Sequence, residues 1–125
     1  MYTILVCDDE RDIVSALEIY LTAEGYRVLK AYNGKEALAI AGREDVHLIL
    51  MDIMMPVMDG YEACRRIRAL DRPDTQSIPI IAMTANAFAE DVQRSLDAGM
   101  DAHISKPFDL KKLQQCLAKL SQKRV

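Results

Sequence analysis

The sequence predicts an α/β protein, a doubly wound five-stranded parallel sheet covered by helices on both faces. Three observations carry this reading. Short apolar runs such as Leu48 to Met51 and Thr3 to Cys7 have no polar interruption, the pattern of strands buried on both faces. Between the strand-like runs lie segments whose apolar residues recur at helical spacing. Strict alternation with right-handed crossovers gives a parallel sheet whose strand carboxyl ends share one edge.

The elements follow in order. Thr3 to Cys7 is the first strand and is closed by Asp8, Asp9 and Glu10. From Arg11 to Glu24, Ile13, Ala16, Leu17, Tyr20 and Leu21 form a helical stripe, and Gly25 supplies the stop. Tyr26 to Ala31 is the second strand, and the Asn33-Gly34 turn opens a short helix from Lys35 to Ala41. The third strand ends at Asp52. Asp59, with Glu62 three residues on, resembles a capping box for a helix presenting Tyr61, Cys64, Ile67 and Leu70. Asp71 to Ser77 is a polar loop, too short for a domain linker. Ile78 to Met83 is the fourth strand, closed by Thr84, and a helical pattern returns within Ala87 to Ala98 before Gly99. Ala102 to Ser105 is a short strand closed by Lys106-Pro107. Asp109 caps a last helix striped by Leu110, Leu113, Leu117 and Leu120.

Length and composition suit one domain over residues 1–125. The chain is half apolar, and 28% of its residues are charged. A formal net charge of −3 argues against a basic nucleic-acid-binding face. With no transmembrane-length apolar stretch and no basic, cleavable leader, the expected location is the cytoplasm, away from membranes. Cys7, Cys64 and Cys116 are widely spaced, without CxxC or Cys/His clustering. Neither zinc nor a disulfide framework is indicated, and the expectation is reduced thiols, two or more of them structural. Several features read as ordinary structure. Gly34-Lys35 lacks the upstream glycine of a phosphate-binding loop. The seven methionines fill core gaps. Arg65, Arg66 and Arg68 form a solvated helix face, and Lys119, Lys123 and Arg124 suit a helix C-terminus.

Polar residues collect at the strand ends: Asp8 and Asp9 after the first, Asp52 after the third, Thr84 after the fourth and Lys106 after the fifth. Turns, caps or solvated side chains could explain each singly. Together they point to a site at the carboxyl edge, where open α/β sheets bind ligands. Carboxylates about 4 Å apart repel by roughly 4 kcal/mol at an effective dielectric near 20, and a divalent cation relieves this. All-oxygen ligation suits Mg²⁺ better than zinc. In such a site Asp52 is placed to attack phosphorus, with the Lys106 ammonium, the Thr84 hydroxyl and the metal holding the peripheral oxygens.

On these residues the sequence resembles a response-regulator receiver domain of the chemotaxis type, over essentially the whole chain. The matching pieces are Asp8-Asp9-Glu10, Asn33-Gly34, Met51-Asp52 with Pro56, Asp59-Gly60, Met83-Thr84-Ala85, Ala98-Gly99 and Lys106-Pro107-Phe108. The resemblance implies a flavodoxin-like (βα)5 fold with strand order 2-1-3-4-5. It implies that Asp52 is the phosphoacceptor, supplied by a histidine kinase or histidine phosphotransfer protein. Asp8, Asp9, Asp52 and the Met54 backbone carbonyl would hold Mg²⁺, or Mn²⁺ in its place. Lys106 would contact the phosphoryl group, Thr84 would move to it, and the Lys106–Pro107 bond would be cis. Met54, Ala85 and Asn86 would flank the phosphate. The face made by the fourth helix, fifth strand and fifth helix would engage a downstream effector protein or domain, or a second copy in a phosphorylation-dependent homodimer.

One position departs from the family pattern: His103 stands where the switch residue is usually Tyr or Phe. It reads either as a smaller, polar switch residue or as a side chain that merely faces solvent. His47, before the third strand, reads as structural, and neither histidine lies on an exposed helix face as a phosphotransfer histidine would. The chain is thus expected not to be an enzyme, beyond self-catalysed phosphotransfer to Asp52 and autodephosphorylation. Haloacid-dehalogenase-type phosphatases also use an aspartate nucleophile, but after the first strand with a second acid two residues on. Here the aspartate follows the third strand, and residue 54 is Met. A phosphate-independent adaptor is disfavoured because no site residue is missing.

Overall fold

The computed structural model describes residues 2–55, 57–84, 89–105 and 110–122. Five strands and five helices alternate: β1 (Thr3–Cys7), α1 (Arg11–Ala23), β2 (Arg27–Ala31), α2 (Gly34–Arg43), β3 (Leu48–Asp52), α3 (Gly60–Arg68), β4 (Ile80–Thr84), α4 (Ala89–Asp97), β5 (Ala102–Ser105) and α5 (Leu110–Gln122). All neighbouring strands are parallel, in the order β2-β1-β3-β4-β5. The expected doubly wound sheet and its strand order are both present.

Burial follows from that order. The three central strands β1, β3 and β4 are buried at every position, whereas the edge strands β2 and β5 are only partly covered. Successive side chains of a strand point to opposite faces. Leu5, Cys7, Ile49, Met51, Ile80 and Ala82 therefore pack with residues of α2 and α3, including Ala37, Ile40, Tyr61, Cys64 and Ile67. Ile4, Val6, Leu48, Leu50, Ile81, Met83 and Ile104 pack with Val14, Leu17 and Leu21 of α1 and with Leu113 and Leu117 of α5.

Several local expectations change. On α1, Leu17 and Leu21 of the expected stripe are buried and Ile13 and Tyr20 pack partly buried against the same core, while Val14 joins them and Ala16 is exposed. The polar loop before β4 contains a 3-10 turn at Pro73–Gln76, and β4 begins at Ile80 rather than Ile78. Asp59 caps α3 as expected, its Oδ1 accepting from Glu62 N at 2.9 Å, but the Glu62 side chain turns to Arg65 and Arg66. Those two guanidinium groups hold the Glu62 carboxyl below its ordinary range. The reciprocal arrangement appears at α2: Asn33 Oδ1 accepts from Glu36 N, while Glu36 reaches back to accept from Tyr32 N and Asn33 Nδ2. The expected Asp109 cap lies outside the described residues.

His47 is structural, as expected. Its Nδ1 accepts from Thr3 N at 2.9 Å and its ring stacks on Tyr2, joining the starts of β1 and β3. Arg68 overturns the expectation of a uniform solvated face on α3. Only Arg65 and Arg66 are solvated; Arg68 is turned inward onto backbone carbonyls of two distant loops.

Candidate functional site

Register brings the strand ends together. Cys7 is level with Met51 and Ala31, Asp52 with Met83, and Thr84 with Ser105. The residues that close β1, β3 and β4 therefore meet at one edge of the sheet. Asp8, one residue past β1, is fully buried. Asp52 and Thr84, the last residues of β3 and β4, are 3% and 5% exposed. Asp9 is exposed beside them. Carboxylate oxygens of Asp8, Asp9 and Asp52 lie within 4.8 Å of one another.

Local bonds set these carboxylates. Asp8 N donates to Ala31 O at 3.2 Å, tying the loop to β2, and Asp8 Oδ1 accepts from Glu10 N at 2.9 Å. Asp52 Oδ1 accepts from Met54 N at 3.2 Å, which aims one carboxylate oxygen along the loop after β3. That loop is closed by Ile53 N to Met83 O and Gly60 N to Ile53 O, both at 3.2 Å. Gly60 is required here: a β-carbon would strike Asp52 O and come within 2.7 Å of Ile53 Cα. The glycine lets α3 start directly against the backbone of Asp52.

Beneath the carboxylates lies Cys7, whose thiol donates to Asn33 O at 3.3 Å and sits 3.4 Å from Met55 Sδ. It joins the ends of β1, β2 and β3. Burial, reinforced by the charges of Asp52 and Asp8, pushes its pKa well up, so the thiol stays protonated. Burial likewise raises Cys64 to about 11. Sequence reasoning had no signal for the bridging role of Cys7, which depends on contacts 26 and 48 residues away in the chain.

The loop after β3 exposes two apolar side chains. Met54 and Val57 are 74% and 79% exposed. Val57 has φ +72°, a left-handed conformation that β-branched residues rarely adopt. A residue with a β-carbon loses about 1–2 kcal/mol there, and glycine loses about 0.5–1 kcal/mol of chain entropy instead. Val57→Gly is expected to stabilise the fold by roughly 0.5–1 kcal/mol. A thermal-unfolding midpoint at or below that of the wild type would refute this.

Of the expected site residues, the structure brings together Asp8, Asp9, Asp52 and Thr84, with Met54 on the following loop. Lys106, Pro107, Ala85 and Asn86 lie outside the described residues. His103 is exposed on the edge strand β5 and lines a groove of about 380 Å³ with Ile104, Ser105, Lys112, Gln115, Cys116 and Lys119. The α5 members of that lining recur at i, i+3, i+4 and i+7, one face of the helix. A cluster of three carboxylates provides hard oxygen ligands of the kind that hold Mg²⁺ or Ca²⁺. Among the described residues, no helix is long and apolar enough to cross a membrane.

Comparison with known proteins accords with this arrangement. Residues 4–118 match the family model of the response regulator receiver domain. The chain is 40% identical over 113 residues to the response regulator ArlR of Staphylococcus aureus, covering 90% of this chain and 49% of ArlR. It thus spans about half the length of the curated relatives it matches. Among solved structures, it is similar to the receiver domain of a sensor histidine kinase from Pseudomonas aeruginosa. That likeness has a TM-score of 0.88 at 38% identity and covers 97% of this chain and 98% of that one. The Pseudomonas domain carries a magnesium ion coordinated in its active-site cleft. The chemotaxis protein CheY4 of Vibrio cholerae gives a TM-score of 0.90 at 30% identity, covering 96% and 98%. Fold, strand-end carboxylates and relatives agree: the chain belongs to the response regulator receiver domains of two-component systems.

Proposed function

We propose that this receiver domain is a phosphorylation-driven binding switch in which Asp52 is the phosphoacceptor. The supporting observation is the placement of Asp52: a buried carboxylate at a strand end, with oxygens within 4.8 Å of those of Asp8 and Asp9. The donor is the phosphohistidine of a histidine kinase or phosphotransfer protein. An Asp52 oxygen attacks phosphorus, the P–N bond breaks, an acyl phosphate forms and the imidazole leaves with its electron pair, to be protonated. Water later cleaves the acyl phosphate, so the chain turns over no separate substrate.

The three carboxylates and the Met54 carbonyl fit Mg²⁺, with Mn²⁺ an alternative. Bound there, the ion would offset their charge and that of the phosphoryl oxygens. The remaining roles fall to the chain. Thr84, level with Ser105 and one strand from Asp52, offers its hydroxyl to a phosphoryl oxygen. Lys106 supplies the ammonium for another. Met54, exposed on the loop after β3, has the role of tuning the approach of water. The output surface is the face of α4, β5 and α5, with His103 in the switch position, and its partner is an effector protein, an effector domain or a second copy. Sedimentation unchanged by phosphorylation would dismiss the second copy.

The test is intact mass after incubation with acetyl phosphate and Mg²⁺. The expected result is one added phosphoryl group in the wild type and none in Asp52→Asn or with chelator. An adduct that persists in Asp52→Asn would overturn the assignment. Multiple-turnover phosphate release from simple monoesters would favour a phosphatase instead.

A further inference from the structure

Two of the contacts that hold α4 and the turn after it against α3 involve arginines. Near the middle of α4, Arg94 places its guanidinium carbon 4.4 Å from the centre of the Tyr61 ring. Just past its end, Gly99 O accepts from both Nε and Nη2 of Arg68, at 3.1 and 2.8 Å. The two holds differ in strength. The Arg68 fork is mostly buried and also bonds Ile78 O, Thr75 O and Asp101. Arg94 is exposed, and a cation–π contact of that kind biases an equilibrium by only roughly two- to five-fold. The Gly99 end is thus the firmer hold and the Tyr61 contact the weaker.

One partner of the weaker contact is close in the chain to the phosphoacceptor, the other to the end of β4. Tyr61 is buried and follows Gly60, the residue packed on the backbone of Asp52 and Ile53. Arg94 lies on the helix that begins five residues after Thr84, the end of β4. Arg94 lies between the Thr84 side of α4 and its Gly99 end.

We propose that the Tyr61–Arg94 contact is a latch that holds α4 in its resting position, and that loading of Asp52 is coupled to its release. This rests on the reading of Asp52 as phosphoacceptor. Coupling is reciprocal, so a contact favouring the resting position weakens binding at Asp52 by the same factor that it restrains α4. Arg94 and Tyr61 act here as positioning residues and touch no reacting atom.

The test measures two quantities: hydrogen exchange of the Gln93–Asp97 amides, and the affinity for beryllofluoride with Mg²⁺. Arg94→Gln is expected to speed exchange and tighten beryllofluoride binding, each by roughly two- to five-fold. Tyr61→Phe, which keeps the ring face, stays near the wild type. In a Tyr61→Leu background, Arg94→Gln adds nothing further, the non-additivity that marks a direct pair. Beryllofluoride binding by the wild type with Arg94→Gln unchanged would overturn the latch alone. So would an equal effect of Arg94→Gln in the Tyr61→Leu background. No binding by the wild type, matched by Asp52→Asn, would overturn the phosphoacceptor reading and the coupling with it.

Discussion

Alanine in place of Gly60 is expected to destabilise the protein by about 2–3 kcal/mol and to misplace Asp52. The added β-carbon would strike Asp52 O and lie 2.7 Å from Ile53 Cα and 3.0 Å from Asp52 C. All three atoms are backbone, at the buried end of β3 and the buried residue after it, so no rotamer change can relieve the clash. The start of α3 would have to lift, and Gly60 N would lose its bond to Ile53 O. Because Met54 N donates to the Asp52 carboxylate on the same loop, the disturbance reaches the site itself. Gly42→Ala is the control. There the new carbon meets only Leu70 Cδ1 at 4.0 Å, and alanine in a helix is expected to gain about 0.5–1 kcal/mol. Urea midpoints check both. A Gly60→Ala midpoint equal to the wild type would show that the loop gives way without cost.

The second large effect is expected at Arg68. Its side chain is 17% exposed, and it donates to Ile78 O at 2.6 Å, Thr75 O at 3.2 Å, Gly99 O twice and Asp101 Oδ2 at 3.0 Å. Asp101 Oδ2 in turn accepts from Ile80 N at 2.9 Å. One guanidinium thus joins the end of α3 to the loops entering β4 and β5. Removing it leaves carbonyls beside buried residues without a donor, at about 1–3 kcal/mol each, and the losses do not add in full. Arg68→Ala is expected to destabilise by roughly 3–4 kcal/mol. Arg68→Lys should recover only part, since an ammonium cannot reproduce the fork. Arg66→Ala, which breaks an exposed pair with Glu62, should cost no more than about 0.5 kcal/mol. Thermal unfolding of the three variants separates the cases; similar losses for Arg66→Ala and Arg68→Ala would refute the argument.

That pair of arginines shows where sequence reading stops. Arg65, Arg66 and Arg68 stand within four residues of one helix, and nothing in their spacing separates the solvated from the buried. Arg68 differs because Gly99 and Ile78, 31 and 10 residues away in the chain, present carbonyls to it. Tyr61 and Arg94 are likewise ordinary helix residues until α3 and α4 lie side by side. The bridging thiol of Cys7 and the left-handed conformation of Val57 left no mark in the pattern either.

What was legible is what depends on local periodicity. Uninterrupted apolar runs must be buried on both faces, and strands alternating with helices must lie parallel. A parallel sheet places all its carboxyl ends on one edge, so Asp8, Asp9, Asp52 and Thr84 could be assigned to one site from their positions after strands. The sequence by itself therefore determined the fold class, the strand boundaries to within two residues and the acidic cluster. Tertiary structure alone decided which side chains bridge elements, which residues complete the buried face of α1 and how α4 is held. The reason is physical: propensity and periodicity act over a few residues, whereas a contact across thirty residues exists only once the intervening chain has fixed both partners in space.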